Sequence, residues 1–394
     1  MLGASLQIHA RAVRCTVAAV VLAVSLIMLA IAHPGRASSA RAAADPTCSA
    51  NYAYGPYVAP RTLRFGIDPE LAGSVGSTQG EVKRVNDAKT LNALRALRPR
   101  RKELVLRINR LFESDGEAGI RKFKQTIDRF TRAGFDTELQ VRYHPTAQEA
   151  GDIAQWKRYV RHVVDVFGSN RHLIAMTITN EINLKISANT SDGYYPRAED
   201  ALVQGIIAAH QEAQRRRFTQ LRFGFTFAYR FTPKMDTAVF TGLKGGGSAF
   251  RKALGFVGVD FYPELFPGRA TPISAAALQM MGTMRRCFLP LGGLGPHVPL
   301  WITESGYDTT PGKITQAQQR TALLQIVNTI HSAAKTFGVT DYRWFNLRDN
   351  LSTTPAFGET AGLLTDSYAR KPAFAAYQGL IQRLGAAAPK AQQK

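Results

Sequence analysis

The chain has 394 residues, of which 45% are hydrophobic and 9% aromatic, enough to bury the core of one large domain or two ordinary ones. This composition excludes a generally disordered chain. Lysine and arginine number 50 against 29 acidic residues, so the formal charge is +21 and the surface is strongly basic. No nucleic-acid-binding motif accompanies that charge, so we expect no nucleic-acid partner.

The first 44 residues have the layout of a secretory signal peptide. Arg11 and Arg14 precede an uncharged apolar run over 15–32, and a small-residue stretch ends at Ala44. We expect cleavage after Ala44 and a secreted, extracellular protein, although the run is long enough for an uncleaved membrane anchor. No comparable run follows, so we expect no stable membrane insertion once the signal is removed. Cleavage would remove four arginines and leave a charge of +17.

Two cysteines, Cys48 and Cys287, would remain in the mature chain. In an oxidising compartment they can form a disulfide that ties an N-terminal arm over 45–60 to the following domain. Two separate buried thiols are the alternative. Neither cysteine has the spacing of a metal site, and the sequence predicts no metal and no organic cofactor.

After the arm, short runs rich in apolar, β-branched and aromatic residues alternate with longer amphipathic segments. Nearly continuous apolar runs are typical of strands buried on both faces. Eight runs are predicted to be strands, at residues 63–67, 104–108, 137–143, 173–179, 221–228, 256–261, 300–303 and 341–346.

Helices are predicted between the strands. One begins at Pro196, where a proline's missing N–H costs little. Another begins at Thr315 and ends at Gly338, a residue that suits a left-handed helix end. The glycine-rich segment 244–248 is predicted to be a mobile loop.

Eight strand–helix alternations predict either a closed (β/α)8 TIM barrel or a large doubly wound sheet. Periodicity alone does not separate the two architectures. In either case one domain covers residues 61–385, and the Ala/Pro/Gln/Lys tail over 386–394 is predicted to be disordered.

Two carboxylates come directly after predicted strands, Glu181 after the fourth and Glu304 at the end of the seventh. Taken singly, Glu181 is typical of a surface helix start and Glu304 of a turn. In an α/β barrel, however, the carboxyl ends of the strands form the active site, and a buried carboxylate is costly unless it has a function. Hydrolysis of a glycosidic bond needs two facing carboxyls, one to protonate the leaving oxygen and one to attack the sugar or activate water.

These motifs resemble the signature of the clan A (4/7) retaining glycoside hydrolases, in a cellulase- or endoglycanase-like form. The likeness rests on Asn180-Glu181 closing strand four and Glu304-Ser305-Gly306 closing strand seven. It extends over residues 60–385 and favours the TIM barrel over the doubly wound sheet. The residue after the acid/base is Ile182 where most relatives have proline, so the family within the clan is not assigned.

The resemblance implies a role for each residue of these two motifs. Glu181 would be the general acid/base, with a raised pKa, and Glu304 the nucleophile that forms a glycosyl-enzyme ester. Asn180 would bind the 2-hydroxyl of the sugar.

Four further positions match side chains that the clan uses to hold substrate or nucleophile. His144 matches the histidine of strand three, although a lone histidine is as often a core or loop residue. Tyr262 matches the strand-six aromatic that holds the nucleophile, and Trp344 the strand-eight tryptophan that floors the sugar subsite. The arginine near strand two is Arg107 or Arg110, and the alternation of the strand favours Arg107.

The substrate implied by the clan is a β-linked oligosaccharide or polysaccharide, with the sugar, the linkage and endo or exo action left open. The basic surface can in addition hold the protein against an anionic cell-wall polymer. A non-catalytic carbohydrate-binding barrel at the cell surface is the alternative function.

Other polar and aromatic residues follow the predicted strands. Loop acids at 68, 70, 113 and 115 are predicted to be solvated rather than to bind sugar. Tyr194, Tyr195 and Tyr229 are placed on the catalytic face, where contact with sugar and contact with protein are equally compatible with the sequence.

Overall fold

A closed barrel of parallel strands forms the centre of the molecule. The computed structural model describes Cys48, residues 62–69 and residues 83–388. Within these residues each of eight strands pairs with the next, and the eighth pairs with the first. The strands are β1 Arg64–Ile67, β2 Val105–Phe112, β3 Asp136–Arg142, β4 Leu173–Ile178, β5 Arg222–Ala228, β6 Phe256–Phe261, β7 Leu300–Ser305 and β8 Val339–Trp344. The predicted strands and the TIM barrel are confirmed.

Helices surround the barrel and cover the outward faces of its strands. The described part contains α1 Asp87–Leu97, α2 Gly116–Arg132, α3 Ile153–Phe167, α4 Ala198–Arg216, α5 Pro233–Leu243, α6 Gly247–Ala253, α7 Ile273–Thr283, α8 Gln316–Phe337 and α9 Pro372–Leu384. None of the described helices is long and apolar enough to cross a membrane.

The sequence signals at both ends of α8 are confirmed. The Thr315 hydroxyl accepts from the Gln318 N–H, while the Gln318 side chain accepts from the Thr315 N–H, which satisfies two otherwise free helix donors. Gly338 ends the helix in the left-handed region at φ 68°. Between them α8 buries an apolar stripe against the barrel, each large side chain contributing about 1.5–3 kcal/mol.

Two local predictions are wrong. Helix α4 begins at Ala198 rather than Pro196, because Arg197 takes a left-handed conformation with φ 58° that precedes the first turn. The segment 244–248 is not a loop: a 3-10 turn over Lys244–Gly246 leads directly into α6. Glycines there tolerate the turn's backbone, and Phe250 and Ala253 anchor the helix by burial.

The chain after α9 pairs with the barrel instead of leaving it. The Ala386 N–H donates to the Leu63 carbonyl at 2.9 Å, and the Ala388 N–H donates to the Arg101 carbonyl at 2.9 Å. Residues 386–388 therefore do not belong to a disordered tail, since free backbone groups beside β1 and β2 provide their partners. Residues 389–394 lie outside the described residues.

A disulfide joins Cys48 and Cys287, whose Cα atoms are 5.5 Å apart. Cys287 lies in a π-helical turn, Met284–Phe288, directly after α7. The alternative of two separate thiols is thus wrong. The signal peptide over 1–44, and the N-terminal arm over 45–60 apart from Cys48, lie outside the described residues.

Candidate active site

Glu181 and Glu304 meet at the carboxyl end of the barrel. Glu304 is the fifth residue of β7, and Glu181 follows the last residue of β4 by three positions. Their side chains are buried, with 6% and 5% of the residue surface exposed. The two carboxylates that the sequence singled out therefore share one buried polar site.

Glu304 is held by a hydroxyl and a guanidinium. The Tyr262 hydroxyl donates to Oε2 at 3.0 Å, and Arg107 Nη2 donates to Oε1 at 3.4 Å. Both donors fix the orientation of the Glu304 carboxyl group. The structure thus brings two residues predicted for the site, Tyr262 and Arg107, into contact with Glu304.

The backbone that presents Glu181 is in an unusual conformation. Thr179 and Glu181 have φ values of 70° and 45°, in the left-handed region that residues other than glycine rarely adopt. The Glu181 N–H donates to the carbonyl and to the hydroxyl of Thr226 on β5, at 3.1 and 3.3 Å. Such backbone conformations are typical of functional sites, where surrounding contacts hold them in place.

Burial, and then the charge of Glu304, raise the pKa of Glu181 to about 8. Arg142 and Arg107 oppose this effect only in part. Glu181 is therefore protonated at neutral pH, as a general acid must be. Its chemistry differs from that of Glu304 because the two environments differ.

A third buried acid, Asp260 at the end of β6, was not found from the sequence. Its Oδ1 accepts from the Thr303 hydroxyl at 2.8 Å, and its Oδ2 accepts no hydrogen bond from the described residues. Burial, and then the charges of Glu304 and Glu181, hold the pKa of Asp260 well above its usual range. An acid inside an apolar strand is the signal that could have identified it.

The Asn180 amide is fixed in orientation beside Glu181. Its oxygen accepts from Gln140 Nε2 and from the Thr226 hydroxyl, both at 2.7 Å. Its nitrogen donates to the Thr190 carbonyl at 3.2 Å and lies 3.4 Å from Glu181 Oε2. The donor end of the amide thus faces the acid.

Asp192 ties the ends of β3 and β4 together. Its Oδ2 accepts from the backbone N–H groups of Tyr143 and Asn180, at 2.9 and 2.8 Å, and its Oδ1 accepts from Arg142 Nε at 2.6 Å. This fully buried carboxylate was missed because it lies in a loop that carries no motif.

A chain of alternating charges fills the barrel beneath Glu304. Arg107 Nη1 donates to Glu138 Oε1 at 3.2 Å, and Arg343 Nη2 donates to Glu138 Oε2 at 2.9 Å and to Asp341 Oδ1 at 3.0 Å. All four side chains are almost completely buried. Arg107 is therefore fixed by Glu138 when it contacts Glu304.

Arg110 also lies at the site, so both of the arginines considered from the sequence, Arg107 and Arg110, are found there. Strand β2 shifts register against β3 around this residue, and Arg110 has a φ of 72°. Burial, followed by the charge of Arg142, lowers the pKa of Arg110 to about 10, while Asp68 and Glu304 oppose the shift. A bulge of this kind redirects a side chain, which simple alternation does not predict.

His144 is half-buried at the edge of the site. Its Nδ1 lies 2.8 Å from the Ser114 hydroxyl and its Nε2 3.1 Å from Asn189 Oδ1. The ring packs against Phe112 and Tyr195, with centroid distances of 4.3 and 5.1 Å. Neither nitrogen is paired with a catalytic carboxylate, and contact of His144 with sugar stays a prediction.

The interpretation of Trp344 as the floor of a sugar subsite is contradicted. Trp344 is fully buried, and its indole N–H donates to the Ala361 carbonyl at 3.0 Å while the ring packs against Tyr377 of α9. It therefore faces the helix layer. The next residue, Phe345, packs against Tyr262 with ring centroids 6.1 Å apart. Because side chains alternate along a strand, an error of one position exchanges the two faces.

Two of the acids predicted to be solvated are buried instead. Asp68 Oδ2 accepts from Asn109 Nδ2 at 2.5 Å, and burial raises the pKa of Glu113 to about 8. Asp115 is exposed, and the acid at position 70 lies outside the described residues. Asp68 lies near the site, because its charge acts on Arg110 and opposes the lowering of the Arg110 pKa.

The three loop tyrosines have different surroundings. Tyr229 is buried and donates to the Thr283 hydroxyl at 2.9 Å, so it faces the core. Tyr195 packs on His144, and Tyr194, at 55% exposed, packs on Tyr195. Of the three, Tyr194 is exposed and Tyr195 half-buried, and contact of either with sugar stays a prediction.

Comparison with known proteins shows a similarity in fold. No family model matches the sequence, and no curated protein sequence matches it. The fold is similar to that of a family 1 β-glucosidase from Thermotoga maritima, with a TM-score of 0.59, 14% identity, and coverage of 84% of this chain and 100% of that chain. The complex of that enzyme with isofagomine lactam gives the same values. Its complex with methoxycarbonyl-substituted glucoimidazole has a TM-score of 0.56 and 13% identity at the same coverage.

The chain thus shares the barrel fold of these β-glucosidase structures. At this identity the likeness concerns the barrel and not the reaction or the substrate. Among the described residues no group of three or more His, Cys, Asp or Glu side chains could hold a metal ion.

Proposed function

We propose that the protein is a retaining glycoside hydrolase that cleaves a β-linked glycoside or polysaccharide. The observation that carries the proposal is the different environment of the two carboxyls at the barrel mouth. Burial and a neighbouring charge raise the pKa of Glu181 to about 8, whereas Glu304 accepts hydrogen bonds from Tyr262 and Arg107. One carboxyl is thus prepared to donate a proton and the other to attack as an anion.

In the first step Glu304 attacks the anomeric carbon while Glu181 gives its proton to the glycosidic oxygen. The bond from carbon to the leaving oxygen breaks, and an ester between the sugar and Glu304 forms. Tyr262 and Arg107 hold the attacking carboxylate, and Asn180 is placed to bind the 2-hydroxyl beside Glu181.

In the second step water replaces Glu304. Esterification removes the charge that helped to raise the pKa of Glu181, so the acid loses its proton more easily and becomes a base. Glu181 takes a proton from water, the water oxygen bonds to the anomeric carbon, and the ester bond breaks. The product keeps the configuration of the substrate.

The proposal includes export from the cell. The basic, apolar and small-residue order of the first 44 residues supports it. The Cys48–Cys287 disulfide also supports it, because such bonds persist in oxidising compartments.

The test is the release of reducing ends from β-glucans, mannans, galactans and xylans by wild type, Glu304→Ala and Glu181→Ala. We expect both variants to lose hydrolysis, and the first product formed by wild type to be the β-anomer by proton NMR. The control is Glu117→Gln, an exposed acid on α2 whose loss should leave the rate unchanged. Glycan binding without hydrolysis, unaffected by Glu304→Ala, would instead show a carbohydrate-binding barrel.

A further inference from the structure

Arg142 has a hydrogen-bond donor at the site that bonds to no residue in the described part of the chain. It is the last residue of β3, and its side chain points into the barrel mouth, like Glu138 and Gln140 on the same strand. Its Nε donates to Asp192 Oδ1 at 2.6 Å. The residue is only 1% exposed, and its Nη2 is buried and bonds to none of the described residues.

A second guanidinium lies beside it. Arg110, redirected by the bulge in β2, is close enough for the charge of Arg142 to lower its pKa, with burial as the larger cause. Arg110 is half-buried with its Nη2 shielded from solvent, and like charges in such surroundings repel each other more strongly than they would in water. A ligand with a negative charge between them would relieve that repulsion.

Both arginines are close enough to the carboxyl pair for their charges to act on it. The charge of Arg142 acts on Glu181, and Arg110 interacts with Glu304 and Tyr262. The guanidinium carbon of Arg142 lies 5.4 Å from the Phe112 ring centroid, which helps to fix the plane of its donors.

A buried donor without an acceptor costs free energy, and a planar guanidinium is well matched to a carboxylate. A sugar carboxylate would provide an acceptor for Arg142 Nη2, which finds none among residues 62–69 and 83–388. The chain as a whole carries +21, which favours the approach of a negatively charged polymer.

We propose that the substrate is an acidic β-linked glycan, and that the carboxylate of a uronic acid unit binds to Arg142 and Arg110 beside the catalytic pair. This inference rests on the proposed hydrolase function. It adds the class of sugar, which the fold neighbours do not specify.

The experiment compares glycans that differ only in the carboxyl group. The pairs are β-1,4-glucuronan and cello-oligosaccharides, β-1,4-mannuronan and manno-oligosaccharides, and hyaluronan and its carboxyl-reduced form. The quantity measured is kcat/KM for reducing-end release in wild type, Arg142→Gln, Arg110→Gln and Arg158→Gln.

We expect wild type to prefer the acidic member of at least one pair. Arg142→Gln and Arg110→Gln should each lower the ratio of acidic to neutral kcat/KM by about 10- to 100-fold, the effect of one charged hydrogen bond. The ratio is the decisive value, because losing the contact with Asp192 in Arg142→Gln should slow cleavage of the acidic and the neutral glycan alike. Arg158→Gln removes the same charge from an exposed position on α3 and should leave the ratio unchanged.

The inference is overturned if the neutral member is cleaved as fast or faster in every pair. It is also overturned if neither Arg142→Gln nor Arg110→Gln changes the ratio. Glu304-dependent cleavage of neutral glycans in those cases leaves the hydrolase proposal intact. No cleavage of any glycan by wild type would remove both proposals.

Discussion

The pKa of Glu181 provides the sharpest test of the assigned roles. Burial, and then the charge of Glu304, raise this pKa to about 8. Because the first step needs the protonated acid, kcat/KM should fall about tenfold per pH unit above that pH. Glu304→Gln removes the neighbouring charge at nearly constant shape, so the pKa of Glu181 should fall in that variant.

The size of the change follows from electrostatics. Carboxyls of retaining enzymes lie about 5 Å apart. At an effective dielectric constant of about 20, two unit charges at that separation interact by about 3 kcal/mol, which corresponds to about 2 pH units. The pKa of Glu181 in Glu304→Gln should therefore be about 6, still above the usual range because its burial is unchanged.

The assay is a carbon-13 titration of the Glu181 carboxyl, assigned by its absence in Glu181→Gln. Glu117→Gln, which removes an exposed acid on α2, is the control and should leave the pKa of Glu181 unchanged. An unchanged pKa in Glu304→Gln, or an equal fall in Glu117→Gln, would refute the pairing of Glu181 with Glu304.

Three further predictions concern single contacts. Tyr262→Phe removes the hydroxyl that donates to Glu304, so kcat/KM should fall about 10- to 100-fold at unchanged melting temperature; full activity would contradict the contact's role. Glu138→Gln removes the charged partner that the buried Arg107 and Arg343 share and should lower the free energy of unfolding in urea by about 3–5 kcal/mol, while exposed Glu117→Gln should change it by less than about 0.5 kcal/mol. Cys48→Ser opens a loop of 239 residues and should lower the free energy of unfolding by about 2–4 kcal/mol in calorimetry. As the control, a reductant should destabilise wild type and have no effect on Cys48→Ser.

The barrel could be predicted because its strands are buried on both faces. Continuous apolar runs such as 256–261 mark such strands independently of their neighbours. Glu181 and Glu304 could be found for a related reason, since each carboxylate follows an apolar strand at the end where barrels have their sites. Their pairing is a property of the barrel geometry rather than of any single segment.

The missed residues depend on contacts that no local pattern contains. Asp192 lies in a loop, and only the folded chain brings it to the backbone of Asn180. Trp344 was chosen over Phe345 because tryptophan suits a sugar face, although the alternation of β8 turns Trp344 toward α9. Arg110 could not be placed because a bulge breaks the alternation that favoured Arg107.

One signal in the sequence could have shown more. The interior of most TIM barrels is filled by branched apolar side chains, whereas here Arg107, Glu138 and Arg343 occupy the middle of buried strands. Charged groups in such positions are costly unless they pair with one another, so their presence in three separate strands predicts an internal ion network. That network ends at Glu304 through Arg107, so the buried charges mark the nucleophile independently of its own motif.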